Sequence, residues 1–210
     1  MNKIVLITGA TSGIGLGCAR KFAENGDKLI LTGRNENKLA EIRKEMTDKG
    51  CQVLTLAFDV RDREKAMQYI NDLPEEWKAI DVLVNNAGLA LGLEPEYEGD
   101  PDDWETMIDT NIKGLLTMTR LVVPGMIERG RGHIINIGSV AGDAAYAGGN
   151  VYCATKAAVK ALSDGLRIDV ADTPIRVTNL KPGLVETNFS NVRFHGDSER
   201  APRSIRASSR

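Results

Sequence analysis

Short apolar runs alternate with amphipathic stretches along most of this chain of 210 residues. Six of the runs are rich in Ile, Val and Leu: Lys3 to Gly9, Lys28 to Thr32, Gln52 to Ala57, Asp81 to Asn85, His133 to Ile137 and Ile175 to Leu180. Runs of that composition read as strands buried on both faces, as in a parallel sheet covered by helices. The stretches between them carry helix signals. Asp100-Pro101 puts a capping carboxylate before a proline at the first helical position, and Asp102, Asp103 and Glu105 add negative charge where the helix dipole favours it. A long helix is predicted from there. A second, Glu36 to Lys49, is closed by Gly50, and a third, Asn150 to Ala171, is predicted to bury an apolar stripe through Val151, Ala154, Ala158 and Leu162. Strand and helix in alternation predict right-handed crossovers and an α/β class: a doubly wound parallel sheet with helices on both faces.

The pattern stops near the end. Residues 195–210, HGDSERAPRSIRASSR, hold no aromatic side chain and one large aliphatic, Ile205, too little apolar surface to offset the entropy of ordering. The expectation is one folded domain, 1–194, and a disordered tail, 195–210. Composition agrees with a single soluble domain: 42% hydrophobic and 27% charged residues leave room for one core and no second full domain. The formal net charge of -2 comes from acidic and basic residues mixed along the chain, so there is no basic footprint for nucleic acid or a membrane surface. No apolar run nears the roughly 20 residues that span a bilayer, and Met1-Asn2-Lys3 leads directly into a strand, so a cytoplasmic location is expected. Cys18, Cys51 and Cys153 are odd in number and widely spaced, which fits reduced thiols. With His133 and His195 the only histidines, no metal site is expected.

Chemistry begins at Thr8 to Gly15, TGATSGIG, between the first strand and the next helix pattern. Gly9, Gly13 and Gly15 let the backbone turn and approach a pyrophosphate, while the helix N-terminus at Ser12, Gly13 and Ile14 supplies N–H donors and a favourable dipole. A dinucleotide is the expected ligand; a plain strand-to-helix turn is the structural alternative. Farther on, Tyr152 and Lys156 fall four apart on a predicted helix and so share one face. A phenol with an ordinary pKa near 10 is a poor proton-transfer group at neutral pH, but an adjacent ammonium and a positive charge on the bound dinucleotide would together stabilise its phenolate. Ser139 stands directly after the fifth strand, where its hydroxyl can hold a substrate oxygen; neither histidine is placed to make it a nucleophile.

The spacing of the glycines, NNAG at Asn85 to Gly88, Asn111, Ser139 and YxxxK at Tyr152 to Lys156, in that order, resemble the short-chain dehydrogenase/reductase family. The resemblance runs from Lys3 to about Phe194 and implies a Rossmann fold, hydride transfer to or from a nicotinamide dinucleotide, and a homo-oligomer formed through the helices near Asp102 and Asn150. It implies catalytic roles for Asn111, Ser139, Tyr152 and Lys156. It implies cofactor contacts from Gly9, Thr11, Ser12, Gly13, Ile14, Gly15, Asp59, Val60, Asn86, Ala87, Gly88, Tyr152 and Lys156, and from Pro182, Gly183, Val185 and Thr187 of the loop over the nicotinamide. The family's NAD-selecting acidic position holds Gly33 here, followed by Arg34, which suits the 2′-phosphate of NADP. A second basic residue would be usual in such members; Asn35 stands there instead. Several stretches are similar to NADP-dependent 3-hydroxy acid dehydrogenases acting on serine or allo-threonine. Such a substrate needs a cation for its carboxylate, and Arg193 is the candidate, beside Ser139 and Tyr152, although it could equally be a solvated arginine. Two rival readings remain: a broader carbonyl or 3-ketoacyl reductase, and a cofactor-binding but inactive fragment. The second arises because family members usually continue into a further helix and a seventh strand, so the fold is expected to be C-terminally truncated.

Overall fold

The computed structural model describes residues 2–183 together with Val185 and Arg193. In chain order its elements are β1 (Ile4–Ile7), α1 (Gly13–Glu24), β2 (Lys28–Gly33), α2 (Glu36–Thr47), β3 (Val53–Ala57), α3 (Arg63–Asn71) and α4 (Glu75–Lys78). They continue with β4 (Val82–Asn85), α5 (Pro101–Ile108), α6 (Leu115–Glu128), β5 (His133–Ile137), α7 (Asn150–Asp169) and β6 (Arg176–Leu180). All six apolar runs are strands. They form one parallel sheet in the order β3-β2-β1-β4-β5-β6, so the chain returns to the centre after β3 and proceeds to the other side. That reversal leaves a crevice beyond the carboxyl ends of β1 and β4. The predicted tail and Thr187 lie outside the described residues.

Side chains of β1 alternate between two apolar layers. Val5 and Ile7 pack with Ala19 of α1 and with Leu39, Ile42 and Met46 of α2. Ile4 and Leu6 pack with Ala66 and Ile70 of α3 and with Met118, Val122 and Met126 of α6. A strand buried on both faces needs this two-sided supply of apolar side chains. Among the described residues no helix is long and apolar enough to cross a membrane.

Three local features differ from expectation. The helix begun by Asp100, whose carboxylate accepts the Asp102 N–H at 2.9 Å, is interrupted at Asp109–Gly114 by a wider π turn before resuming as α6. Asn35, which stands where a basic residue would be usual, caps α2, its side chain accepting the Lys38 N–H at 2.9 Å. Most importantly, α7 does not bury the Val151, Ala154, Ala158, Leu162 stripe: Val151, Ala158 and Leu162 are half-buried and Ala154 is exposed. Its buried residues are Tyr152, Cys153, Thr155, Lys156, Val159 and Ser163. Apolar periodicity alone missed this because α7 packs its polar side chains inward, where hydrogen bonds satisfy them. Asn136 of β5 donates to Ser163 at 2.9 Å, and Ser163 donates to the Val159 carbonyl at 2.7 Å.

Candidate active site

The glycine-rich loop leaves β1 at Thr8 and is tied to β4 from behind. The Asn86 side chain donates to the carbonyls of Thr8 at 2.9 Å and Gly9 at 3.0 Å, and the Ala87 N–H donates to the Thr8 hydroxyl at 2.9 Å. Asn86 therefore shapes the loop instead of reaching past it. Gly9 has φ +63°, and a Cβ on Gly15 would lie 2.4 Å from both the Gly9 carbonyl oxygen and the Asn86 amide. Only glycine fits these two places. Ser12 is extended and no side chain caps α1, so the first N–H groups of the helix are presented to the crevice. This is the cradle a pyrophosphate requires.

Arg34 follows β2 and is exposed. Close by, Arg61 makes a forked contact to the Asp59 carboxylate, Nε donating to Oδ1 at 3.1 Å and the terminal nitrogen to Oδ2 at 2.8 Å. Burial pushes the Asp59 carboxyl up, but hydrogen bonds from Arg61 and the charges of Arg61 and Arg34 outweigh it and hold the group below its ordinary value. The sequence reading overlooked Arg61. Its spacing of two from Asp59 was the available signal.

At the end of β5 the reacting groups converge. The Lys156 ammonium donates to the Ile137 carbonyl at 2.8 Å and lies 5.9 Å from the centre of the Tyr152 ring. The Tyr152 hydroxyl is hydrogen-bonded to Ser139, whose Oγ also accepts the Ala141 N–H at 3.1 Å. Burial lowers the Lys156 pKa from 10.5 to about 8. Burial also raises Tyr152, the opposing hydrogen bond to Ser139 and the charge of Arg193 notwithstanding. The protein's own groups leave Tyr152 protonated, because desolvating a phenolate costs more than these partners return.

Asn111 lies within the π turn, buried. Its Oδ1 accepts the Leu89 N–H at 2.9 Å, and its amide donates to the Leu89 carbonyl at 2.8 Å and to Thr155 Oγ1 at 3.0 Å. One side chain thus bonds both the Leu89 backbone and the helix α7. It positions the strand β4 exit against α7. Pro182 approaches the same end, its carbonyl accepting the Val140 N–H at 3.2 Å, with Gly183 and Val185 following; Thr187 lies outside the described residues.

Arg193 is 8% exposed. Its Nε donates to the Gly92 carbonyl at 2.9 Å and one terminal nitrogen donates to the Tyr146 hydroxyl at 2.8 Å. The other terminal nitrogen is buried with no partner among the described residues, and the guanidinium lies 5.9 Å from the Tyr152 ring centre. The cleft there is lined by Trp104, Tyr152 and Arg193 together with the acidic residues Glu94, Glu96, Asp100 and Asp103. Tyr146 had no signal in the sequence, since only folding brings it to Arg193. Among the described residues no group of three or more His, Cys, Asp or Glu could hold a metal.

Residues 3–197 match the short chain dehydrogenase family model. The chain is 58% identical over 199 residues to the NADP-dependent 3-hydroxy acid dehydrogenase YdfG of Salmonella typhi, covering 94% of this chain and 79% of that one. It is 50% identical to sulfoacetaldehyde reductase 2 of Chromohalobacter salexigens, covering 94% of this chain and 78% of that one. Among solved structures, the closed form of serine dehydrogenase complexed with NADP+ superposes with a TM-score of 0.91 at 54% identity, covering 96% of this chain and 81% of that one.

Proposed function

The chain belongs to the short chain dehydrogenase family, and from that premise we propose that it is an NADP-dependent oxidoreductase for small 3-hydroxy acids of the serine or allo-threonine type. One observation carries the substrate reading: a buried guanidinium, with a nitrogen lacking a partner among the described residues, stands beside the Tyr152 ring and lines the same cleft. A buried cation with donor capacity left over suits an anion on the substrate, and the fork of arginine suits a carboxylate. A sulfonate is a second anion of fitting shape, in keeping with the relative named for sulfoacetaldehyde.

In this reading Ser139 holds the substrate hydroxyl oxygen and Tyr152 takes its proton on oxidation or returns it on reduction. Lys156 keeps its ammonium against the Ile137 carbonyl, one turn along α7 from Tyr152, and supports the phenol electrostatically. Asn111 fixes Leu89 and Thr155 around them. The residues from Gly9 to Gly15, Asp59 and Val60, and Asn86 to Gly88 form the nucleotide bed, with Arg34 directed to the 2′-phosphate. NADP+, when bound, supplies the hydride acceptor and a positive ring near Tyr152. The same reading includes a cytoplasmic setting and a homo-oligomer, the latter favoured by the half-buried Val151, Ala158 and Leu162 beside exposed Ala154 on α7.

The test is NADP- and NAD-linked oxidation of serine, the threonine isomers and 3-hydroxybutyrate beside uncharged secondary alcohols. Turnover of hydroxy acids with NADP is the expected result. Turnover confined to uncharged alcohols would reject the substrate class, and nucleotide binding with no turnover at all would reject the enzyme.

A further inference from the structure

The turn that leads into α7 is built for close approach. The Gly149 N–H donates to the Tyr146 carbonyl at 3.0 Å, and Gly148, the third residue of that turn, has φ +70°, where glycine is favoured. A Cβ on Gly149 would run into the edge of the Tyr146 ring, and one on Gly148 would run into the Leu93 carbonyl. The two glycines thus let the Tyr146 ring fold down over Gly149 and let the backbone next to Gly92 come up beside it. Arg193 lies against both. Its main-chain carbonyl accepts the Gly92 N–H at 3.0 Å, its Nε donates to the Gly92 carbonyl at 2.9 Å, and one terminal nitrogen donates to the Tyr146 hydroxyl at 2.8 Å. The guanidinium stands 5.4 Å from the Tyr146 ring centre and 5.9 Å from that of Tyr152, so the two phenols flank one cation.

We propose that Tyr146 is a specificity residue of the substrate site: it holds the Arg193 guanidinium by accepting one hydrogen bond, and it gives its own hydroxyl proton to the same substrate carboxylate. A phenol has one proton and two lone pairs, and Arg193 takes one lone pair. The proton has no acceptor among the described residues. Burial outweighs the charge of Arg193 and raises Tyr146 above its ordinary value, so the group is a donor at neutral pH. The rest of the cleft makes a second donor useful. Glu94, Glu96, Asp100 and Asp103 line it, so a lone arginine has to hold an anion against their field. Selection then falls to short hydrogen bonds whose directions fit a carboxylate. Fixing the guanidinium beforehand also removes rotamer entropy that a loose arginine would lose on binding. The proposal rests on the substrate reading above and adds to it a residue that carries no charge.

The test compares Tyr146→Phe with the parent in NADP-linked oxidation of serine and of an uncharged secondary alcohol. Phenylalanine keeps the ring over Gly149 and removes the hydroxyl alone. The Michaelis constant for serine should rise about tenfold, the scale of one charge-assisted hydrogen bond, while kcat and the constant for the alcohol stay near those of the parent. In an Arg193→Leu background the same change should do less, since the hydroxyl then has no guanidinium to hold. A second readout needs no turnover. Added with the reduced nucleotide, which cannot oxidise it, 3-hydroxybutyrate should raise the melting temperature of the parent and raise that of Tyr146→Phe less. An unchanged constant for serine, equal rises for serine and the alcohol, or the same effect with and without Arg193 would overturn the proposal. If the variant is less stable, the ratio of serine to alcohol still decides, because unfolding removes active protein for both alike. A parent that oxidised only uncharged alcohols would overturn the substrate reading itself, whereas hydroxy-acid turnover that Tyr146→Phe leaves intact would overturn this proposal alone.

Discussion

The nucleotide side of the sheet, around β1 and β2, is made largely of backbone, whereas the reacting side, around β5 and α7, is made of side chains brought from distant parts of the chain. On the first side the essential parts are consecutive: a strand, a loop of glycines and the start of a helix, all within Ile4 to Gly15. Even the supporting contacts from Asn86 and Ala87 land on main-chain atoms or on Thr8. On the second side Ser139, Tyr152 and Lys156 meet through the end of β5, and Arg193 reaches the cleft by a contact to Gly92 across 101 positions. A backbone site binds whatever fits its shape and its N–H groups. A side-chain site can be tuned group by group, so substrate choice is free to change while nucleotide binding is kept.

The comparison is broken most severely by Tyr152→Phe. Proton transfer is typically worth about 10²- to 10⁴-fold in rate, so turnover should fall by that much while nucleotide affinity, measured by fluorescence titration, stays close to that of the unaltered protein. Equal loss of both would mean the two sides are not separable. Arg193→Leu comes next. Loss of a charge-assisted contact of about 1.5–3 kcal/mol should raise the Michaelis constant for hydroxy acids roughly tenfold to a hundredfold and spare uncharged alcohols. Uniform loss on both substrate types would make Arg193 a tether for the Gly92 loop only. Arg34→Ala should act with similar size on the other side, raising the constant for NADP and leaving that for NAD nearly unchanged; a parallel rise in both would remove Arg34 from the choice.

Smaller effects sharpen the same contrast. Burial of Lys156 sets its pKa at about 8, below the 10.5 of an unhindered lysine, so between these values the unfolded chain holds more protons than the folded one. The buried ammonium therefore costs stability in full below about pH 8, and the cost lifts as pH rises toward 10.5. Lys156→Met should be inactive yet more stable than the parent at pH 7, by something on the order of 1–3 kcal/mol, with the advantage shrinking at alkaline pH. Chemical denaturation at pH 7 and pH 9.5 checks this, and a constant difference would place the lysine's effect in packing. Smallest of all, Asn35→Ala removes the cap of α2 and should cost about 1 kcal/mol, or roughly 2–4 °C in melting temperature, without altering the NADP constant. A large change in that constant would give Asn35 a role in the nucleotide site beyond its cap.

The strands, the glycine-rich loop and the capped helix start at Asp100 were legible in the sequence because each depends on neighbours along the chain: apolar runs, small residues at a turn, a carboxylate before proline. The meeting of Ser139, Tyr152 and Lys156 was legible too, but through the spacing of motifs, not through apolar periodicity. Periodicity pointed to the wrong face of α7, since it registers apolar repeats and cannot register polar side chains buried against Asn136, Asn111 and the Ile137 carbonyl. The upward shift of Tyr152, the depressed Lys156 and the seat of Arg193 against Gly92 and Tyr146 were decided only by the fold. Sequence spacing fixes what lies within a turn or a strand, whereas desolvation and steric exclusion depend on every atom packed around a group, and those atoms come together only when the chain has closed on itself.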